Sequence, residues 1–457
     1  MRAFAHKIAR FASASGTWNH FLRSFSALSL VRLSGGLLLY ISQILLASWM
    51  GSYAFGLYSF AWAWVAILAT LAGLGLAGTA VRYVAAYLAE GNQALNRGVQ
   101  AFGRVAILLS SLCTLAIAYC VVLLWMPASP YRDPLLLAFI GVPALAFLHL
   151  EAAYARGYHW VVLGGIFEQI CRPSILIAAG ALVALFFGST AAEPYVLLCV
   201  LAYLCAAAGQ HFVLRHRIAP TLTPVQPAYR RKEWLRFAFA MLLLNGSQIV
   251  RSNTDLIMVG AYLMPNDLGT YTAALRTSTL VAFVLSVASV AAQPTISAFH
   301  AQGRWVELGR FIAQVTLCIL GVTVLVGLTV AILGHYILGL FGHEFQAGYP
   351  ALLILISGFA LVAPLGPITS LLIMTGRHYP AAGVHTASIG VNLALNALFI
   401  PLWGIEGAAL ATASSLCLSN IGLFLVAQRA LGFSPLRLMR GKGAFSGVSP
   451  DGDGPLA

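Results

Sequence analysis

Apolar and polar positions alternate along this chain in long blocks. Runs of about twenty apolar residues lie near 28–49, 55–78, 104–126, 135–154, 166–187, 195–214, 237–262, 268–292, 312–333, 351–374, 383–400 and 405–427. Each is long enough to cross a ~30 Å hydrocarbon layer as a helix, so the pattern predicts about twelve transmembrane helices and no strands. The basic residues fall in every second gap. Arg97 and Arg104, Arg156, the group Arg215 to Arg236, Arg304 and Arg310, Arg377, and Arg429 to Lys442 follow the even-numbered runs, while the opposite gaps hold only Arg132. The positive-inside rule then puts both termini in the cytoplasm.

This organisation divides the chain into a cytoplasmic N-terminal segment (1–27), a first lobe of six helices (28–214), a cytoplasmic linker (215–236), a second lobe of six helices (237–430) and a disordered tail (431–457). Hydrophobic residues make up 60% of the chain and charged ones 9%, as expected for a polytopic membrane protein. A formal charge of +13 could mean nucleic acid, but it is scattered over short loops and reads as a topology signal facing anionic lipid, so no nucleic-acid partner is expected. All seven cysteines lie inside apolar runs, which argues for packing rather than a disulfide framework.

The two lobes carry a repeat. Gly51-Ser-Tyr-Ala-Phe-Gly56-Leu-Tyr58 and Met264-Pro-Asn-Asp-Leu-Gly269-Thr-Tyr271 both present Gly-x-Tyr as a helix begins, 213 residues apart. Tyr87-Leu-Ala-Glu-Gly91 and Phe299-His-Ala-Gln-Gly303 then end the following helices, 212 residues apart. Six spans per lobe make this a parallel repeat about an axis along the membrane normal, an arrangement suited to alternating access. Transport is the function class it favours.

Charges within the spans are the candidate chemistry, because an ionisable group at bilayer depth costs at least ~2.5–3.5 kcal/mol and needs a partner or a watery cavity. Asn245, Gln248, Arg251, Ser252 and Asp255 share about a third of one helix face. Arg276 returns on the next helix, and Arg32 and Gln43 share a face of the first. Arg32, Arg251 and Arg276 could form a ladder that grips an anionic group with bidentate hydrogen bonds, or could snorkel and lock helices together. Hairpin symmetry about Pro265-Asn266 places Arg276 level with Asp255, so Arg276 or Arg251 would neutralise that carboxylate. Asp255 reads either as the site of H+ or Na+ coupling or as one half of a structural salt bridge. Glu151, Glu168 and Arg172 cluster near the cytoplasmic ends of the fourth and fifth spans, where a structural ion pair is expected.

Other signals point away from catalysis. Gly73-Leu-Gly75-Leu-Ala-Gly78 matches a dinucleotide fingerprint but lies inside an apolar helix, and Asp451-Gly-Asp453 lies in the tail. No nucleophile, base and orienting group, and no metal-ligand spacing, can be assembled from the loops, so neither catalytic residues nor a bound metal or organic cofactor is expected.

Trp49 to Tyr58, Arg251-Ser-Asn-Thr-Asp255 with Gly269-Thr-Tyr271, Leu340-Phe-Gly-His-Glu-Phe345 and Gly404-Ile-Glu-Gly-Ala-Ala409 resemble the polysaccharide flippases. These are O-antigen flippase-type members of the multidrug/oligosaccharidyl-lipid/polysaccharide exporter superfamily, and the resemblance covers roughly residues 20–430. It implies two six-helix lobes around a cationic cavity, a MATE-like exporter fold. The implied activity is translocation of undecaprenyl-pyrophosphate-linked oligosaccharides across the bacterial inner membrane for surface or secreted polysaccharide. Membrane lipids, a polysaccharide polymerase and chain-length machinery would be the partners. A cation-coupled multidrug exporter of the same superfamily and an integral-membrane polymerase or glycosyltransferase are the alternatives.

Overall fold

In the computed structural model the described residues are 16–126, 128–188, 190–218 and 225–431, with side chains from residue 34 onwards. The segment 1–15, the tail from 432 and the side chain of Arg32 lie outside the described residues. Among the described residues the chain is helical and has no strand. Nine stretches of the described residues are long and apolar enough to cross a membrane. The protein is a multi-pass, all-α membrane protein.

The helices are α1 (Gly16–Ala72), α2 (Leu76–Ala89), α3 (Gln93–Trp125), α4 (Arg132–Phe139), α5 (Gly141–Gly157), α6 (Leu163–Ile166), α7 (Arg172–Phe187) and α8 (Ala192–Ile218). After the linker follow α9 (Arg231–Tyr262), α10 (Pro265–Ala301), α11 (Trp305–Phe341), α12 (Tyr349–Val362), α13 (Ile368–Met374) and α14 (His378–Leu431). Two of these are broken internally. α1 leaves helical geometry at Gly51, and α14 does so at Trp403 and Gly404, just after Pro401. The breaks sit where the apolar pattern separates the first two and the last two spans. The one polar-striped span, α9, is absent from the nine apolar stretches.

The intrahelical prolines have local consequences. Pro173 cannot donate to the carbonyl four residues back, and a π-helical turn at Phe167–Cys171 directly precedes it. Pro364 lies in a 3-10 turn, and Gly366 (φ 65°) and Pro367 then separate α12 from α13. Polar residues flank both sites, and irregular backbone at membrane depth requires such protein surroundings.

The repeat has a physical basis. Gly91 and Gly303 both adopt φ 67° after their helices. Asn92 N–H then bonds Tyr87 O at 2.8 Å, and Arg304 N–H bonds Phe299 O at 3.0 Å. These are matching Schellman caps, which need glycine at the left-handed position. The Gly-x-Tyr motifs meet each other. A Cβ on Gly56 would lie 1.9 Å from Pro265 O, and one on Gly269 would lie 2.1 Å from Ser52 O. Two helix starts can touch backbone to backbone only if both crossing residues lack a side chain.

This contact seals one end of the molecule. Ser52 donates its N–H and, at 2.8 Å, its hydroxyl to the Glu344 carboxylate, capping the second leg of α1. Phe55 and Phe345 pack edge to face at 5.9 Å, as do Tyr40 and Phe341. One hydrophobic cluster accordingly runs from the first lobe through this end into the second lobe, taking in Leu268, Tyr271, Phe341 and Ala351. A separate cluster, including Ile296, Leu308, Ile312, Leu372 and Leu423, fills the other end of the second lobe. The two halves of the chain are therefore joined at the Gly51 and Pro265 end. At the other end they meet again along α2 and α9: Trp234 donates to Tyr87 Oη at 2.9 Å, and a Cβ on Gly75 would lie 2.0 Å from Ala238 O. The linker is pinned to α3 by Ala228 N–H to Ala94 O and by Arg97 to Val225 O, both 3.0 Å.

The topology carries a direct test. Reporter fusions at residues 225 and 435 are expected to mark the cytoplasm and fusions at 265 and 343 the opposite side. A fusion at 225 or 435 reporting outside would refute the arrangement.

Candidate functional site

The polar stripe of α9 separates into two kinds of side chain. Asn245, Gln248 and Ser252 are exposed, Arg251 is half-buried, and Asp255 is 7% exposed. Asp255 is held by α14. Asn396 Nδ2 donates to Oδ1 at 2.7 Å and Thr412 Oγ1 to Oδ2 at 2.6 Å. Asn396 also donates to Asn392 Oδ1 at 3.1 Å, and Asn392 donates to Ser415 Oγ at 3.3 Å. Asn392 and Asn396 stand at i and i+4 on one face of α14, so α9 and the two legs of α14 converge on a single carboxylate.

Arg276 does not neutralise Asp255. Among the described residues no ion pair within 4.0 Å joins Asp255 to Arg276 or to Arg251, though Arg251 stays within electrostatic reach one turn away. The hairpin argument assumed that α9 and α10 are partners along their length. Instead α10 runs mainly along α1, where Tyr40 and Thr277 hydroxyls bond at 2.9 Å, and α9 packs on α14.

Arg276 is exposed at its surface, yet its electrostatic neighbours are Tyr58, Tyr203 and Arg172, all from the first lobe. It therefore lies on α10 within electrostatic reach of these groups of the first half. Arg172 is 8% exposed, donates to Tyr203 Oη at 2.7 Å and stacks 4.8 Å from that ring's centre. Its Nε also bonds Glu168 O at 3.4 Å, across the π turn. Neither arginine forms an ion pair within 4.0 Å with a carboxylate among the described residues. Gln43 on α1 is partly buried.

The expected cluster of Glu151, Glu168 and Arg172 is two separate sites. Glu151, fully buried, pairs with Arg104 at 2.7 Å and His211 at 3.2 Å, tying α3, α5 and α8 together. Glu168 pairs with His149 at 3.3 Å, with both side chains more than a third exposed. The Glu151 group is a structural clamp, since a fully buried carboxylate is held by the Arg104 guanidinium, with His211 beside it.

Sequence reasoning missed Asn392, Asn396 and Thr412. Two amides at i, i+4 inside an apolar run were the available signal, because such groups need a partner in the bilayer. Among the described residues no group of three or more His, Cys, Asp or Glu could hold a metal ion. The Asp255 site is instead an all-oxygen and amide set, the chemistry that suits an alkali cation or a proton.

Comparison with known proteins agrees with this architecture. A family model described as "Polysaccharide biosynthesis protein" matches residues 21–300, and one described as MatE matches residues 238–398. A curated relative, "Probable flippase AglR" of Haloferax volcanii, is 26% identical over 275 residues. That alignment takes in 59% of this chain and 53% of the relative, so the chain spans about half the length of the curated protein it matches. Among solved structures, "Lipid II flippase MurJ, inward closed conformation" is similar with a TM-score of 0.69 at 13% identity, covering 88% of this chain and 87% of that one. An inward-facing multidrug resistance MATE family transporter of the MOP superfamily has a TM-score of 0.67 at 13% identity, covering 90% and 99%.

Proposed function

Because this chain belongs to the polysaccharide biosynthesis protein family of the multidrug/oligosaccharidyl-lipid/polysaccharide exporter superfamily, we propose that it is a flippase for polyprenyl-pyrophosphate-linked oligosaccharides. The observation that carries this reading is Arg276, which has Arg172 and no carboxylate among its electrostatic neighbours, while Arg172 keeps only the Glu168 carboxylate one turn away, beyond ion-pair distance. Two guanidiniums so placed repel each other. A pyrophosphate between them would satisfy both with bidentate, charge-assisted hydrogen bonds. Asn245, Gln248 and Gln43 supply hydrogen-bonding groups for a sugar headgroup. A cationic drug would meet net positive charge here, which disfavours multidrug export. The flippase relative and the transporter-like fold favour transport over a polymerase or glycosyltransferase.

With the basic loops in the cytoplasm, the Gly51 and Pro265 end, where the two halves cross backbone to backbone, faces outward, and cargo would enter from the opposite, cytoplasmic end. Transport then requires that the Ser52–Glu344 cap and the Gly56–Gly269 crossing part while the cytoplasmic ends close, a rocking of lobes about the pseudo-axis. The bacterial inner membrane, with both termini cytoplasmic, is the proposed location. An undecaprenyl carrier and assembly of surface or secreted glycans such as O-antigen or exopolysaccharide are the proposed context, with a polymerase and chain-length machinery acting next.

Asp255 is proposed as the coupling site for Na+ or H+. Asn396 Oδ1 is buried with no hydrogen-bond partner, an acceptor left over beside a carboxylate. Asp255, Asn392, Asn396 and Thr412 would hold the cation, and it would supply neutralising charge. Loading it would free Arg251 from Asp255, so cation and anionic cargo would bind cooperatively.

The test is reconstitution in liposomes with a fluorescent undecaprenyl-pyrophosphate oligosaccharide and a membrane-impermeant quencher. Protein-dependent exchange of the label between leaflets is expected, without export of cationic dyes. Dye export with no movement of the lipid-linked sugar would overturn the reading.

A further inference from the structure

The second half of the chain holds parts of two apolar cores, where the first half has one. In the first half a single cluster runs from Tyr131 and Leu135 at the outer end to Leu95 and Leu214 at the inner end. In the second half a boundary cuts across α10, α11, the α12–α13 segment and α14. Val281, Val330, Ile356 and Ile400 belong to the first cluster, whereas Ala288, Ile319, Ala363 and Ala381 belong to the separate inner one. Buried polar groups occupy the interval, Thr323 on α11 and Ser388, Asn392, Ser415 and Ser419 on the two legs of α14. Among the described residues the inner cluster takes in none of α9, whose Trp234 and Ala238 pack with the first half.

Irregular backbone marks the same boundary. Gly366, between Pro364 and Pro367, has φ 65° and ψ −153°, a region open essentially to glycine alone. A Cβ there would lie 2.0 Å from Thr316 Oγ1 of α11. On α10, Pro294 has no N–H to offer the Val290 carbonyl. The two breaks are bonded to each other: Gln293 Nε2 donates to Ser370 Oγ at 3.3 Å, and Ser370 Oγ donates to Ser289 O at 3.1 Å.

We infer that the inner part of the second half, built around Ile296, Ile312, Leu372 and Leu423, is a separate body that swings on a hinge at Gly366 and Pro294. The cytoplasmic entrance then opens by bending within this half, while the first half moves as one piece. This rests on the transport reading and refines the rocking that it requires. Close-packed cores transmit strain instead of deforming, so motion collects where the packing is interrupted. A few residues at element ends then absorb the change in dihedral angles. Pro294 and Gly366 suit that role, because a helix bends most readily where its hydrogen-bond ladder is already broken.

Distances between spin labels test the hinge in the full-length protein in nanodiscs, with labels on introduced non-canonical residues so that the seven native cysteines stay in place. Two pairs, Arg310 with Leu402 and Arg310 with Met264, join the inner and outer parts of the second half, and Arg215 with Leu124 joins the two ends of the first; all five positions are exposed. A bend of about 15° over the ~20 Å inner part moves its end by about 5 Å. Adding an undecaprenyl-pyrophosphate disaccharide is expected to shift the two second-half distances and leave the first-half distance fixed. Rigid rotation of the whole half would change none of them. Pro294→Ala, which restores the missing N–H, should narrow the second-half distributions and slow leaflet exchange about tenfold at unchanged affinity for the probe. Gly366→Ala should do the same, and if it fails to fold, Pro294→Ala carries the test. Second-half distances that stay fixed while the probe binds, or Pro294→Ala behaving as wild type in both distances and exchange, would overturn the hinge and leave the flippase reading standing. If the probe does not bind, the flippase reading alone fails, and the spread of the Arg310–Leu402 distance in the empty protein, narrower in Pro294→Ala than in wild type, still decides the hinge.

Discussion

Asp255→Asn is expected to remove cation stimulation of transport and to destabilise the protein, and adding Arg251→Gln, but not Arg276→Gln, should restore the stability. Asp255 is nearly fully buried and accepts from Asn396 and Thr412. An amide of the same shape keeps one acceptor but presents an NH2 group to one of those donors and leaves the Arg251 charge without its neighbour. Removing one partner of a fully buried ion pair costs about 3–5 kcal/mol. Here the cost should be nearer 1–3 kcal/mol, since Arg251 is half-exposed and water screens it. The double variant removes that excess charge, whereas Arg276 has Tyr58, Tyr203 and Arg172 as its neighbours and cannot compensate. Thermal unfolding in detergent measures the stability, and leaflet exchange with and without a Na+ or pH gradient measures the coupling. Rescue by Arg276→Gln would mean that the two arginines share one site. Undiminished response of Asp255→Asn to both gradients would remove this residue as the coupling site.

Most of the architecture was readable from the chain, and the reason is the solvent. Lipid forces each crossing segment to be a self-satisfied helix, so span positions follow from hydropathy alone. The repeat was readable because its glycines answer backbone demands, left-handed caps at Gly91 and Gly303 and a crossing at Gly56 and Gly269, which no other residue type meets. Periodicity also grouped Arg251 with Asp255. It could not say which helix lies beside which. Asn396 and Thr412 stand 141 and 157 residues from Asp255, and nothing in the spacing of α9 specifies α14 as its neighbour. Sequence adjacency favoured α10 and misplaced Arg276 for that reason. The split of Glu151 from Glu168 has the same origin, since His211 and His149 reach these carboxylates from positions that local pattern does not connect.

Arg276→Gln is expected to lower translocation by about 10- to 100-fold while raising, or at least preserving, thermal stability. Loss of hydrogen bonds to a charged group costs about 1.5–3 kcal/mol, which sets the size of the effect on transport. The sign of the stability change follows from the surroundings. Among the described residues the charged group near Arg276 is Arg172, with the hydroxyls of Tyr58 and Tyr203 beside it, so without cargo Arg276 is a repelled charge. A structural arginine would behave in the opposite way, because its removal would leave a bonded carboxylate unpaired. Arg276→Lys keeps the charge without the planar fork and should fall between wild type and Arg276→Gln in transport. Arg172→Gln should impair transport similarly but cost stability, since Arg172 is buried and bonded to Tyr203 and to the π turn. Leaflet exchange of the lipid-linked oligosaccharide, read beside the melting temperature of each variant, separates the two roles. If Arg276→Gln melts lower than wild type and still transports normally, the residue is structural and the pyrophosphate must bind elsewhere.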